Sequence, residues 1–359
     1  MQRYKIIIIL ILGILLPVYA ASACTPHYKV PDPVSGGNNG GGDNGADSEA
    51  DLDDASDEDD APGGENTGGE GQGGENPGSG ENPGSGETPG GNTPGSGSVS
   101  GAGTLVADGK DADTYALILA SGYNYETPDN SGEHASAPFR HIRQSYDEYL
   151  KKYVFDFYLH IKNDDDRGKA NITDRQRNEI KTDGKSPASM VAQDGETLRI
   201  TWKFKLPAGM KTTSSFSHIH QIKGIDNAEG TADVGHPLIT FTCRGTSSQQ
   251  FQVIYTAPES SSNDYLAKTD LAPFLGEWVS VTETIKFGEK GSYSVVITRM
   301  RDSKQLVKIS NVSRNFWREG ATGMRPKWGL YRNFGKNRSL ESILRDEILK
   351  FDDFKIEKI

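Results

Sequence analysis

Cysteine is nearly absent from this chain: Cys24 and Cys243 are the only two in 359 residues. A disulfide framework of the kind that staples small secreted domains is therefore excluded, and any folded part must be held by its own core. Large apolar residues are almost missing from a second stretch. From Gly36 to Gly103 the sequence is Gly, Asn, Pro, Ser and acid, with near-repeats such as Glu75-Asn76-Pro77-Gly78-Ser79-Gly80. Such a segment cannot bury enough surface to offset the entropy of folding, so residues 36–103 are expected to form a disordered tether. Random-coil scaling gives it a mean span of about 45 Å, which self-repulsion extends. Basic residues are missing there too, against 15 Asp and Glu. The net charge of −11 thus belongs to the tether, while residues 104–359 carry 36 basic and 34 acidic side chains. That slightly basic balance suits an anionic ligand better than the whole-chain charge implies.

Long hydrophobic runs are also lacking, apart from Ile6–Val18 behind Met-Gln-Arg-Tyr-Lys. This run is short for a permanent membrane span and leads to the small residues Ala21-Ser22-Ala23, so it reads as a secretory signal peptide. The segment Ala21-Ser22-Ala23-Cys24 resembles a relaxed bacterial lipobox, with Ala21 where Leu is commoner. The resemblance implies that Cys24 becomes the acylated mature N-terminus; a simply cleaved secreted protein is the alternative. The expected organisation is a signal peptide over 1–23, a lipidated N-terminus over 24–35, the tether over 36–103 and one domain over 104–359. An exported bacterial lipoprotein of the outer membrane or cell surface, with the periplasmic face as the alternative orientation, is expected, monomeric, touching the membrane only through its lipid, with no nucleic-acid partner and no cofactor. Cys243 ends the apolar run that starts at Leu238 and reads as buried packing.

Helical stripes of any length are lacking in the domain. Short alternating stretches punctuated by Gly, Asn, Asp and Ser predict strands at Thr114–Ala120, Tyr153–Ile161, Leu198–Phe204, Leu238–Cys243 and Phe251–Tyr255. More are predicted at Trp278–Phe287, Ser292–Met300, Gln305–Ser310, Lys327–Tyr331 and Ile348–Ile356. Helical turns are expected only at Gln144–Lys152 and Ser339–Asp346. The class is all-β, and a two-sheet antiparallel β-sandwich with a concave substrate groove is its natural form.

Three segments could carry chemistry. In Arg175-Gln176-Arg177-Asn178-Glu179-Ile180-Lys181, strand alternation puts Arg175, Arg177, Glu179 and Lys181 on one face. Cations around one carboxylate make a rigid positive surface for a sugar carboxylate, although a solvated charged strand would look the same. In Phe216-Ser217-His218-Ile219-His220-Gln221-Ile222-Lys223-Gly224, His218 and His220 face one way and Gln221 and Lys223 the other unless a bulge intervenes. A metal pair is the rival reading of His-x-His, but zinc needs further ligands and no second His or Cys cluster of suitable spacing is evident, so no metal is expected. In Arg325-Pro326-Lys327-Trp328-Gly329-Leu330-Tyr331-Arg332, Lys327, Gly329 and Tyr331 alternate with apolar Trp328 and Leu330, and Gly329 leaves room for a ligand to approach the backbone. A fourth segment, Asn163-Asp164-Asp165-Asp166, could offer oxygen ligands to calcium but reads better as a solvated turn.

Taken together, these motifs resemble the concanavalin-like, jelly-roll polysaccharide lyases, which include alginate, glucuronan and heparin lyases; the resemblance covers about residues 130–359. Arg177-Asn178-Glu179-Ile180-Lys181 is similar to the Arg-x-Glu-x-Arg pattern, with Lys181 for the last Arg. Gln221-Ile222-Lys223 matches Gln-Ile-His in spacing but carries Lys in place of His, whereas His218-Ile219-His220 keeps the histidine and loses the glutamine. The third segment retains the Lys, Gly and Tyr of the final motif at Lys327, Gly329 and Tyr331.

The resemblance implies β-elimination on a uronate polysaccharide. Charge building on the uronate carboxylate would be neutralised by Arg177 and Gln221, with His220 as base and Tyr331 as acid; in the family the Tyr can make both transfers while the His orients. His218, Lys223, Lys327, Glu179, Lys181 and Arg175 would bind the substrate. A glycoside hydrolase would need two acids on one strand or on facing strands, and no Glu-x-Asp-x-x-Glu run is found. A non-catalytic glycan-binding lipoprotein is the remaining alternative, since a lipid anchor, a tether and aromatic strands would suffice for it.

Overall fold

The computed structural model describes residues 102–359 apart from 170, 259 and 261. The expected signal peptide, the lipidation site Cys24 and the tether up to residue 101 lie outside the described residues.

The chain opens with β1 (Thr104–Leu105), α1 (Thr114–Ala120), β2 (Asn124–Glu126), β3 (Ile142–Asp147), β4 (Lys152–Leu159) and β5 (Arg175–Lys181). It continues through β6 (Thr197–Lys205), β7 (Ser217–Ile225), β8 (Ile239–Arg244), β9 (Gln250–Thr256) and β10 (Asn263–Asp270). The last strands are β11 (Trp278–Lys286), β12 (Gly288–Arg299), β13 (Lys304–Phe316), β14 (Gly323–Asn333) and β15 (Glu347–Lys358). They form two antiparallel sheets, one ordered β13-β12-β11-β6-β15-β4-β3 with β1 on β15, the other β10-β9-β8-β7-β14-β5-β2. The chain changes sheet repeatedly, from β4 to β5, back at β6, across again at β7, and finally at β11, β14 and β15. These crossovers make a jelly-roll sandwich rather than two meanders.

The first sheet has one wet face. Along β6, Leu198, Ile200, Trp202 and Phe204 are buried, while Arg199 is exposed and Thr201 and Lys203 are half-buried. Each such large apolar side chain contributes about 1.5–3 kcal/mol on burial. Trp202 packs against Phe204, Phe241, Trp328 and Phe351, so the centre of the sandwich is aromatic. The second sheet differs: every residue of β7 and of β14 is buried, on the outer face as well as the inner.

Three local expectations are corrected. Thr114–Ala120 is helical, not a strand: Thr114 and Ile118 are the buried pair, four apart and so on one helix face. Gln144–Lys152 is a helical turn only in part: β3 takes up Gln144–Asp147, with Ile142 and Gln144 buried and Arg143 and Tyr146 exposed, and the turn is confined to residues 148–151, where the Lys151 N–H donates to the Asp147 carbonyl at 2.8 Å. Asn163–Asp166 is not a solvated turn, since Asp164 and Asp166 are buried and engaged by neighbouring side chains.

Candidate functional site

β14 lies between β5 and β7, with Tyr331 opposite Arg177 on one side and His218 on the other, and Lys327 opposite Lys181 and Gln221. The outer faces of three central strands therefore bring the motifs into one patch. Alternation along β5 sets Arg175, Arg177, Glu179 and Lys181 on this face, as expected. The inner face of β5 is unusual in carrying Gln176 and Asn178, whose amides donate to the carbonyls of His160, Asp164, His141 and Tyr158.

Two bulges decide which histidine joins the patch. Between β7 and β14 the register slips from Trp328 opposite His220 to Tyr331 opposite His218, and between β7 and β8 it slips over the same two histidines. His218 consequently shares the outer face with Gln221 and Lys223. Its Nδ1 is 2.8 Å from the Thr242 hydroxyl and its ring centroid 6.1 Å from that of Tyr331. His220 points the other way, into the core among Trp202, Phe241 and Trp328. There its Nδ1 donates to the Lys327 carbonyl at 2.8 Å and its Nε2 lies 2.9 Å from Glu283 of the opposite sheet. The expected base His220 thus faces away from the patch. The bulge is the physical reason, and only a bulge could have broken the pairing of His218 with His220.

Gly329 is also reassigned. Its φ is +150°, and a Cβ would stand 2.1 Å from the Asn178 carbonyl oxygen and 2.7 Å from the Glu179 Cα. The close neighbour of this glycine is the backbone of β5, not a ligand.

The patch has two parts joined by Arg177. In the first, a residue that sequence reasoning missed, Glu126 at the end of β2, lies among four cations: Lys327 at 2.7 Å, Lys181 at 2.7 Å, Arg177 at 3.1 Å and Arg167 at 3.2 Å. Burial opposes its charge, but Lys327, Lys181, Arg167 and Arg177 hold its carboxyl well below the usual carboxylate range. Glu179 completes the network, 3.1 Å from Lys327 and 3.3 Å from Arg177, and accepts from the Gln221 amide at 2.7 Å. In the second part, Arg175 donates to the Tyr331 hydroxyl at 3.0 Å and the Arg177 guanidinium lies 3.8 Å from the centre of the Tyr331 ring. Asp174, 2.8 Å from Arg175, and Asp166, 3.0 Å from Arg177, hold the two guanidiniums in place. Lys223 reaches the Gly235 carbonyl at 3.4 Å, at the far side of the patch from Tyr331.

Most of these groups are covered: Tyr331 is 2% exposed, His218 9% and Arg177 not at all. A cavity of about 420 Å³ opens beside them, lined by Asn124, Glu126, Arg167, Lys169 and Lys181 among others. A larger cavity of about 620 Å³, between Lys286–Lys290 and Asn315–Gly320, contains none of the patch residues. The smaller one is the relevant opening because it ends on the cations. The patch can hold a carboxylate and place a phenol beside it. Among the described residues, the group whose donor atoms are close enough to hold a metal ion is elsewhere, at His134, His141, His160 and Asp164.

The molecule is thus a jelly-roll sandwich with a cationic, tyrosine-bearing patch on its second sheet. Solved structures to which it is similar include an endo-β-1,4-glucuronan lyase from the fungus Trichoderma reesei, at 12% identity and a TM-score of 0.41, over 66% of this chain and 94% of that one. Alginate lyase A1-II′, a member of polysaccharide lyase family-7, is similar at 14% identity and a TM-score of 0.44, over 66% of this chain and 95% of that one. A marine PL-14 alginate lyase from Aplysia kurodai is similar at 12% identity and a TM-score of 0.44, over 71% and 97%. No family model and no curated protein matches the chain.

Proposed function

We propose that the domain is a polysaccharide lyase that cleaves a uronate-containing polysaccharide by β-elimination and leaves an unsaturated uronyl end. The observation that carries this reading is the shared position of Arg177, which touches both a carboxylate held by Lys327 and Lys181 and the ring of Tyr331. A uronate presents the same two features to an enzyme, a carboxylate and, next to it, an acidic C–H.

In this mechanism the substrate carboxylate sits against Arg177 and Gln221, at the border of the network that Lys181 and Lys327 form with Glu126. As the C5–H bond breaks, its electrons delocalise into that carboxylate, and donors already in position stabilise the added charge; one such donor is worth about 3 kcal/mol in comparable sites. The proton passes to the Tyr331 oxygen, which Arg175 is placed to support while it is anionic. The C4–C5 double bond forms as the C4–O4 bond breaks, and the phenol returns the proton to the leaving O4. His218, not His220, is the histidine beside this path, where it can orient the phenol or the sugar.

Incubating the chain with alginate, glucuronan and glycosaminoglycans, and following the ultraviolet absorbance of the unsaturated product, tests the reading. Absorbance should rise with one of these polymers. Binding without product would make the patch a glycan-binding site, and reducing ends without absorbance would make the domain a hydrolase. Tyr331→Phe should lower the rate by at least about 10²-fold while polymer binding persists, because it removes one oxygen and keeps the ring under Arg177. Retention of more than about a tenth of the rate would sink the mechanism.

A further inference from the structure

Four potential ligands converge at the edge of the sandwich where the two sheets meet. His134 comes from the β2–β3 connection, His141 directly precedes β3, His160 directly follows β4, and Asp164 lies in the β4–β5 loop. Their donor atoms all lie within 4.8 Å of one another. Asp164 Oδ1 is 2.8 Å from His134 Nε2, 3.0 Å from His141 Nε2 and 3.4 Å from His160 Nδ1. Three imidazoles and one carboxylate form a complete ligand set for zinc, whose donors stand about 3.3 Å apart when the bonds are about 2.0–2.1 Å long. The three spacings from Asp164 bracket that value.

The second observation concerns His141. Its Nδ1 lies 2.9 Å from Asp129 Oδ1, and Asp129 also accepts the His141 backbone N–H at 3.0 Å. Both ring nitrogens therefore face carboxylates, 2.9 Å from Asp129 and 3.0 Å from Asp164. With a divalent cation between Nε2 and Asp164, Nδ1–H donates to Asp129, and Nε2 and Asp164 both become ligands. A carboxylate on the non-ligating nitrogen is the usual support of a metal-bound histidine. Asp129 is itself fixed by the Tyr115 hydroxyl.

We infer that His134, His141, His160 and Asp164 bind one structural zinc ion. The site is closed by four protein ligands, with His141 and Asp164 side chains fully buried and those of His134 and His160 10% and 25% exposed. Its role follows from what it holds. The inner-face amides of β5 grip the backbone of the ligands, Gln176 that of His160 and Asp164, and Asn178 that of His141. In the same loop the Asp165 carbonyl accepts from the Arg177 backbone N–H at 3.1 Å, and Asp166 pairs with the Arg177 guanidinium. The ion thus ties both sheets together and fixes the loop that positions Arg177.

The test uses the full chain, purified without chelator and dialysed, with elemental analysis and thermal unfolding as readouts, neither of which depends on any enzymatic activity. About one zinc per chain is expected. A strong chelator should lower the Tm on the order of 10 °C, and zinc chloride but not magnesium or calcium should restore it. Replacing zinc with cobalt(II) should give the visible bands of a tetrahedral site. His160→Gln, which removes the most exposed ligand, should fold yet lose most of the bound zinc, and it stands in for Asp164→Asn should that variant fail to fold. Less than about a tenth of an ion per chain, with a Tm indifferent to zinc and chelator, would overturn the site and leave a protonated histidine network in its place. Recovery of calcium instead, or zinc retained undiminished by His160→Gln, would equally overturn it.

Discussion

At the scale of single residues, His218 and His220 show how two similar side chains two positions apart acquire different work. Sequence alternation pairs them on one face, and a bulge separates them. His220→Ala should therefore act on stability: it removes a partner from buried Glu283 and from the Lys327 carbonyl, at a cost of about 2–4 kcal/mol. The kcat of the folded fraction should stay close to wild type. His218→Ala should do the reverse, lowering kcat by about 10²-fold with little change in Tm, since its ring stands beside Tyr331 at the edge of the patch. Kinetics and calorimetry on both variants check this, and a His220→Ala protein that unfolds normally but is catalytically dead would return the histidine role to it. The Arg, Glu and Lys of β5 and the Lys and Tyr of β14 were legible because a regular strand shows alternate residues on one face. Glu126 was not, because a lone acid on a three-residue strand has no pattern of its own, and it reaches the site only through the pairing of β2 with β5. The cluster at His134, His141, His160 and Asp164 was equally invisible: its members lie on separate segments, and only His160 and Asp164 are close in sequence.

At the scale of elements, the strands with alternating burial, such as β6 and β11, could be read from their residues. α1 could not be, because Thr114–Ala120 is too short and too apolar for its period to decide between helix and strand. β14 could be located but not understood, since its glycine answers to a neighbouring strand. Gly329→Ala would drive a Cβ to 2.1 Å from the Asn178 oxygen, so β14 and β5 would have to separate. A loss of more than about 3 kcal/mol by denaturant titration is expected, and a near-neutral result would show that the two strands can part cheaply. β15 carries a pH-dependent weakness at its own irregularity, between Asp352 and Lys355, where Asp353 has φ +52°. Asp352 is fully buried, and burial together with the neighbouring Asp353 pushes its carboxyl up to about 6, against the pull of Lys152 and Lys203. A carboxyl raised in the folded state favours folding below its ordinary value of 3.8, and that contribution is lost as the pH rises through about 6. Asp352→Asn should therefore remove the decline between those values and stabilise the protein at neutral pH by about 1–2 kcal/mol, a figure reduced because Asp353 and Lys152 share the titration. An unchanged profile of stability against pH would refute this.

At the scale of the whole molecule, the sequence placed the start of the domain at residue 104, where the composition changes, and composition marks such a boundary only to within a few residues. The structure shows what the first residues do. Thr104 and Leu105 pair with Lys355 and Phe354 of β15, and Leu105 is fully buried. The Gly103 carbonyl accepts from the Ile356 backbone at 2.9 Å and from the Tyr123 hydroxyl at 2.9 Å, so Gly103 shares in these contacts. Ala107, also buried, packs in the same core cluster. A chain beginning at residue 100 keeps all of these contacts and should unfold at the temperature of the full chain, since the acidic, glycine-rich stretch before it has almost no large apolar side chains with which to add to a core. A chain beginning at residue 108 loses the Leu105 side chain from the core, worth about 2–3 kcal/mol, and exposes part of the β15 edge. For a domain of this size that corresponds to a fall in Tm of roughly 5–10 °C. Scanning calorimetry on the three chains reads the difference directly. Equal unfolding temperatures for the chains beginning at residues 100 and 108 would show that β1 contributes nothing, and a drop on removing residues 1–99 would show that the acidic segment is part of the folded structure after all.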